Sequence, residues 1–331
     1  MRTPCDENEE AKSRVFTMIQ QFLQKTPLVI WGSGATVACG LPTMADLGRH
    51  IKKELSLPID ENADFETQLC KPEFESHLDA IRNCIWTYIN DADCKAREKI
   101  ISGNDENLLA IEKLLKTFCK NHPRMINIIT TNYDRVLENV ASWNGLSYAD
   151  GTGLGDLSGF SVERFDAKSN VKIVKVHGSL SWRRFPTSAM SRVSYVKTDG
   201  SEDVIIIPGK NKYVEAYHSP YRELIQKSDD YVKAATVFLV VGFGFNDEHI
   251  TPKVSEKIRN GTPVVIVTWK PTKNTLDLIA HAKKYMILSG DSSDSNLTHV
   301  EFKGKDSSAV ETTTLTGRFW SLSGFMEALS S

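Results

Sequence analysis

Four polar stretches follow apolar runs in this sequence, and each carries residue types able to do chemistry. Ile126-Asn-Ile-Ile-Thr130 stops at Thr131-Asn-Tyr-Asp134, where the Asn132 amide can orient a water or a sugar hydroxyl. Val171-Lys-Ile-Val-Lys-Val176 stops at His177-Gly178-Ser179, and a histidine accepts a proton near neutral pH. Leu28-Val-Ile-Trp31 enters Gly32-Ser-Gly-Ala-Thr36, followed by Gly40-Leu-Pro-Thr43, while Thr236-Val-Phe-Leu-Val-Val241 enters Gly242-Phe-Gly-Phe-Asn-Asp247. Glycine directly after a strand lets backbone N–H groups approach an anion with no Cβ in the way. Each stretch also has an ordinary alternative. Asp134 is a good helix cap, as are Asn246, Asp247 and Thr251, and a glycine pair can be a plain strand-to-helix turn.

The elements that would position these residues are readable from periodicity. Val15, Phe16, Ile19, Phe22 and Leu23 recur at helical spacing before Pro27. Leu47/Ile51/Leu55, Phe74/Leu78/Ile81/Ile85/Tyr88 and Leu108/Ile111/Leu115/Phe118 form three further helical stripes, so residues 45–122 read as a helical insertion after the first strand. Strands at 28–31, 126–130, 171–176, 236–241, 261–269 and 285–288 alternate with helices from 135, near 219–233 and near 274–283. Fully apolar strands alternating with helices predict an α/β, doubly wound, Rossmann-like, mostly parallel sheet, in which ligands gather beyond the carboxyl ends of strands. Residues 145–170 read as a mobile loop, and 289–331 as a Ser/Thr-rich tail with a closing helix. The whole of 1–331 is expected to be one nucleotide-binding domain.

Composition narrows the function. The chain has 331 residues, 40% of them hydrophobic and 25% charged, with a formal net charge of −2 and a pI near 6.5. No broad electrostatic grip on nucleic acid is indicated. A P-loop NTPase is excluded by the missing Walker lysine, and a dehydrogenase is disfavoured because the helical segment stands where an acidic ribose ligand would follow the second strand. Cys5, Cys39, Cys70, Cys84, Cys94 and Cys119 form no Cys-x-x-Cys pair and are expected to be buried, reduced thiols, with no metal site. No apolar run approaches the roughly 20 residues of a membrane helix, and the polar start lacks a signal-peptide core, so a cytoplasmic protein is expected.

Taken in order, Gly32-Ser-Gly-Ala-Thr36 with Gly40-Leu-Pro42, then Thr131-Asn-Tyr-Asp134, then His177-Gly178, then Gly242-Phe-Gly-Phe-Asn-Asp247 resemble the sirtuin-like domains. The likeness is strongest to the bacterial branch that destroys NAD in antiviral defence. The resemblance implies NAD as substrate. It assigns Gly32, Ser33, Gly34 and Thr36 to the pyrophosphate, with Ala35 in the same turn, and Pro42 and Thr43 to a loop over the nicotinamide side. It further implies Asn132 beside the reacting ribose carbon, Asp134 orienting the carboxamide, and His177 as ribose-side base. Gly242, Phe243 and Gly244 would hold the adenosine half, and Thr131, Gly178 and Asp247 would flank the cofactor. Three features depart from the deacylating sirtuins: the zinc ligands are missing, Leu180-Ser-Trp-Arg-Arg184 replaces a peptide-gripping segment, and Thr43-Met-Ala45 replaces an acidic and arginine pair.

The expected activity is therefore NAD glycohydrolysis. Protein deacylation, ADP-ribosyl transfer and non-catalytic NAD or ADP-ribose sensing stand as alternatives. The same resemblance implies regulation by assembly: a homo-oligomer, and as partner a HerA-type hexameric ATPase, an Argonaute or a phage protein.

Overall fold

The structure is a computed structural model. It describes residues 4–330 except 62, 64, 121, 154, 189–190, 195–198, 210–214 and 305–308. The chain divides into two compact units, Met1–Ala35, Asp105–Ile129 and Asp229–Ser331 in the first, Thr36–Asn104 and Thr130–Ser228 in the second.

In the first unit, strands β1 (Leu28–Trp31) and β2 (Ile126–Thr130, its last residue belonging to the second unit) lie beside strands contributed from the C-terminal part of the chain. These are β8 (Phe238–Val241), β9 (Val264–Thr268), β10 (Tyr285–Gly290), β11 (Leu297–Lys303) and β12 (Glu311–Thr316). Their order is β12-β11-β10-β9-β8-β1-β2. β1, β8, β9 and β10 run parallel, and the last two strands turn antiparallel. β1 and β8 are buried along their whole length, as expected for apolar strands covered on both faces; each buried Val, Leu or Ile contributes about 1.5–3 kcal/mol.

Helix α1 (Pro4–Phe22) buries Val15, Ile19 and Phe22 and packs on β9, β12 and the C-terminal helix. The segment expected to be a Ser/Thr-rich tail is instead the β11–β12 hairpin. Its pattern is legible afterwards: Thr298, Val300 and Phe302 are buried while His299 between them is exposed, the period-2 signature of a half-buried strand.

In the second unit, α3 (Phe65–Leu69) and α4 (Leu78–Ser102) both pack on α2 (Met44–Leu55), and α4 also packs on α6 (Val136–Trp143). The remaining helix of the 45–122 segment, α5 (Glu106–Lys120), belongs to the first unit. α7 (Tyr221–Ala234) runs from the second unit into the first, which also holds α8 (Thr251–Arg259), α9 (Lys273–Ala280) and α10 (Leu322–Ser330). Strand β3 (Tyr148–Ala149) pairs parallel with β4 (Val171–Lys175), so the 145–170 stretch carries a strand and a Thr152–Phe160 bridge rather than being loop throughout. β5 (Gly178–Arg184), β6 (Arg192–Val193) and β7 (Glu202–Ile205) form a separate sheet in the order β6-β5-β7. Among the described residues no helix is long and apolar enough to cross a membrane.

The cysteines split by environment. Cys39, Cys84 and Cys119 are buried, whereas Cys70 and Cys94 are exposed, which corrects the expectation of uniformly buried thiols. Burial raises the Cys84 thiol and pushes Cys119 up to about 11, leaving almost no thiolate at neutral pH. A thiol-specific reagent at pH 7.5 is expected to modify Cys70 and Cys94 in the folded protein and Cys39, Cys84 and Cys119 only after denaturation. Peptide mapping that finds Cys119 modified in the native state contradicts this arrangement.

Candidate active site

In the first unit the two glycine turns leave the sheet side by side, because Trp31 and Val241 are register partners at the ends of β1 and β8. Gly32 N donates to Val241 O at 3.0 Å, Gly34 N to Gly242 O at 3.0 Å and Ala35 N to Gly32 O at 3.1 Å. A Cβ on Gly32 would lie 2.3 Å from Gly242 O, and one on Gly242, whose φ is +59°, 2.1 Å from Ala35 N. The immediate requirement for these glycines is the crossing of one backbone over the other, and the N–H groups of Gly32, Gly34 and Ala35 are directed at protein carbonyls. Ser33 and Gly34 are exposed and form the turn's accessible rim.

The second turn is braced from α9. Thr272 Oγ1 donates to Gly244 O, and Asn274 Nδ2 donates to Phe245 O at 3.1 Å. These bonds hold Phe245 at φ +57°, a rare conformation for an aromatic residue. The Phe243 and Phe245 rings are buried and meet edge to face at 5.3 Å, so Phe243 offers a ligand its backbone rather than its ring. Asp247 Oδ1 accepts the His249 and Ile250 N–H groups, each at 3.1 Å. Of the three capping candidates it is the one that organises entry into α8.

In the second unit, Val176 N donates to Thr130 O at 3.1 Å, which aligns the chain after β4 with the end of β2. Asn132 and His177 thus leave neighbouring strand ends. Asn132 N donates to Thr130 Oγ1 at 3.0 Å, and Asn132 Nδ2 donates to Thr36 Oγ1 at 3.3 Å. Thr36 is 1% exposed, Asn132 9% and His177 6%. The strand-end positions match the expectation, whereas the side chains are more enclosed than residues facing an open crevice would be. Thr36 meets Asn132, a role in orienting the amide that the pyrophosphate assignment does not include. Gly178 has φ +86°, and a Cβ there would lie 2.0 Å from Val204 O, so the β5–β7 pairing requires it. Pro42 and Thr131 are half-buried.

Thr43 caps α2. Its hydroxyl accepts Asp46 N at 3.1 Å, while Asp46 Oδ2 accepts Thr43 N at 2.8 Å and Thr43 Oγ1 at 2.6 Å. This reciprocal box holds the Asp46 carboxyl below its ordinary range, chiefly through the threonine hydroxyl, and it gives Thr43 a local structural function.

Beneath the Asn132 loop lies a buried charge cluster that sequence reasoning missed. Lys175, 1% exposed, donates to Glu138 Oε1 at 2.8 Å and to the Asp134 carbonyl. Asp134 Oδ1 accepts Val136 N at 3.2 Å, one residue ahead of a formal cap position. Burial raises the Asp134 and Glu138 carboxyls, and Lys175 opposes the shift in both. The available signal was Lys175 itself, in phase with Val171 and Ile173 on a strand. Asp93, equally unforeseen, is 1% exposed and binds Arg135.

The fold is a Rossmann-like, mostly parallel α/β sheet with these polar residues at its strand ends. Residues 126–292 match the SIR2-like domain family, and the chain belongs to that family. No curated protein matches it. Among solved structures, it is similar to a Sir2 homologue in complex with NAD at 14% identity, covering 82% of this chain and 87% of that one with a TM-score of 0.46. It is also similar to a mutant Sir2 homologue bound to 2′-O-acetyl ADP-ribose, at 15% identity, 96% and 98% coverage and a TM-score of 0.47.

Proposed function

We propose that this protein is an NAD glycohydrolase that cleaves NAD to nicotinamide and ADP-ribose, acting as an NAD-depleting effector of bacterial anti-phage defence. The observation that carries the reading is the pairing of Asn132, its amide tied to Thr36, with His177 at neighbouring strand ends in a SIR2-like domain. Nicotinamide leaves a pyridinium as a neutral molecule and takes the electron pair of the C1′–N bond, so no acid is needed to protonate it. What the site must supply is stabilisation of an oxocarbenium-like ribose and a positioned water. The Asn132 amide suits the second task, and the His177 imidazole suits acceptance of the proton that the attacking water releases. Asp134, with its carboxyl raised by burial, is suited to hydrogen bonding with a carboxamide in either protonation state. Ser33, Gly34 and the backbone of Gly242–Gly244 are assigned to the pyrophosphate and adenosine half.

The test is incubation of the protein with NAD, with a chelator and without any acylated peptide. Nicotinamide and ADP-ribose are expected in equal amounts. NAD consumption that appears only with an acetyl-lysine peptide, and that yields O-acetyl ADP-ribose, overturns the reading in favour of a deacylase. Regulation by homo-oligomerisation or by a HerA-type ATPase, an Argonaute or a phage protein belongs to the same proposal. A partner can raise activity only through its preference for the competent state.

A further inference from the structure

Helix α4 holds three segments of the second unit that bear candidate site residues. Trp86, Asn90 and Asp93 follow one another along one face of the helix, spaced close to whole turns, while Lys99 stands six residues further, on another face. Lys99 Nζ donates to Cys39 O at 3.3 Å, three residues beyond Thr36. Trp86 Nε1 donates to Leu180 O at 3.2 Å, three residues beyond His177, and Leu180 N in turn donates to Tyr133 O at 3.0 Å. The tightest grip is on Arg135. Asp93 Oδ1 accepts the Arg135 backbone N–H at 2.6 Å, Asp93 Oδ2 accepts Nε at 2.8 Å and forms an ion pair with Nη2 at 2.7 Å, and Asn90 Oδ1 accepts Nη2 at 2.7 Å.

The peptide joining Asp134 to Arg135 is therefore clamped by charge on both sides. Its N–H meets the Asp93 carboxylate and its carbonyl oxygen meets the Lys175 ammonium. Charge-assisted bonds of this kind are roughly twice as strong as neutral ones and restrict orientation. Asn132 lies two residues upstream, with its own anchors at Thr130 and Thr36.

We infer that Asp93 is a positioning residue for Asn132: by fixing the 134–135 peptide to α4, it sets where the Asn132 amide stands. The inference rests on the glycohydrolase reading for its kinetic consequence, though not for its structural one. A displacement of about 1 Å in a reacting group costs on the order of 100-fold in rate, so a clamp that removes such freedom acts on turnover more than on substrate binding.

The test is Asp93→Asn, which keeps the shape but turns an NH2 group towards one of the Arg135 donors, and Asn90→Ala, which loosens the guanidinium while sparing the buried carboxylate. Asp93→Asn is expected to lower kcat for nicotinamide release about 100-fold while KM stays within about threefold, and to speed backbone amide exchange over 131–136 by at least about tenfold. Asn90→Ala is expected to move both quantities in the same direction by less, and it carries the test if Asp93→Asn fails to fold. Unchanged kcat with unchanged exchange in a folded variant overturns the inference. So does an activity loss accounted for by a smaller folded fraction. If the wild-type protein releases no nicotinamide, the glycohydrolase reading fails by itself, and the exchange comparison still decides whether the clamp orders the loop.

Discussion

Replacing Asn132 with alanine is expected to reduce nicotinamide release by about 100- to 1000-fold, the cost of losing one preorganised polar group at a developing charge. His177→Ala is expected to lose a comparable factor, within the roughly 100- to 10,000-fold range of a general base. Neither change should unfold the chain. Asn132→Ala leaves Thr36 Oγ1 without the amide donor but keeps the Asn132 backbone bond to Thr130. His177→Ala keeps the His177 carbonyl that accepts Ile206 N at 2.9 Å. The measurements are nicotinamide production and a thermal melt on the same preparations. Wild-type turnover by either variant would remove that residue from the proposed mechanism.

Lys175→Met is expected to be the most destabilising single change discussed here. It leaves Glu138 buried with no cation and the Asp134 carbonyl without its ammonium donor. Breaking a buried pair from one side costs about 3–5 kcal/mol. The double variant Lys175→Met with Glu138→Leu is expected to recover part of that loss, since no uncompensated carboxylate remains. The deficit should also depend on pH. The Glu138 carboxyl already sits above its ordinary value through burial, and without Lys175 it rises further. A carboxyl whose folded pKa lies above the unfolded one favours folding most below the unfolded value and loses that contribution as pH rises through the folded value. The single variant should therefore be weakest near neutrality and closer to wild type in mild acid. Urea midpoints at pH 5 and pH 7.5 measure this, and an unchanged midpoint at pH 7.5 would show that Lys175 does not hold the cluster.

Both predictions combine what is local in the sequence with what is not. The apolar runs at β1, β2, β4, β8 and β9 and the polar residues that end them were legible directly, because strand burial and turn chemistry are set within a few residues. The placement of Asn132 and His177 at strand ends followed from that alone. The role of Thr43 was equally local: Thr43 and Asp46 stand three apart, the spacing of a capping box, although the family resemblance drew attention to a ligand instead. The hairpin β11–β12 had its alternation in plain sight, hidden by a Ser/Thr-rich composition that also suits a loop.

Other features had no local signature. Gly32 and Gly242 are 210 positions apart in the numbering, and only the parallel register of β1 on β8 shows that Gly32 must be small because Gly242 is there, and Gly242 because Gly34 and Ala35 are. Asp93 and Arg135 stand on a helix and a loop 42 residues apart, and Lys175 meets Glu138 across 37. Lys175 shares the inward phase of Val171 and Ile173, but Asp93, Arg135 and Glu138 each taken alone read as solvated surface. Only the tertiary structure decided which partners bury Asp93, Lys175 and Glu138, since a charge enters a core only where its partner is already held, and the chain's path determines where that partner stands.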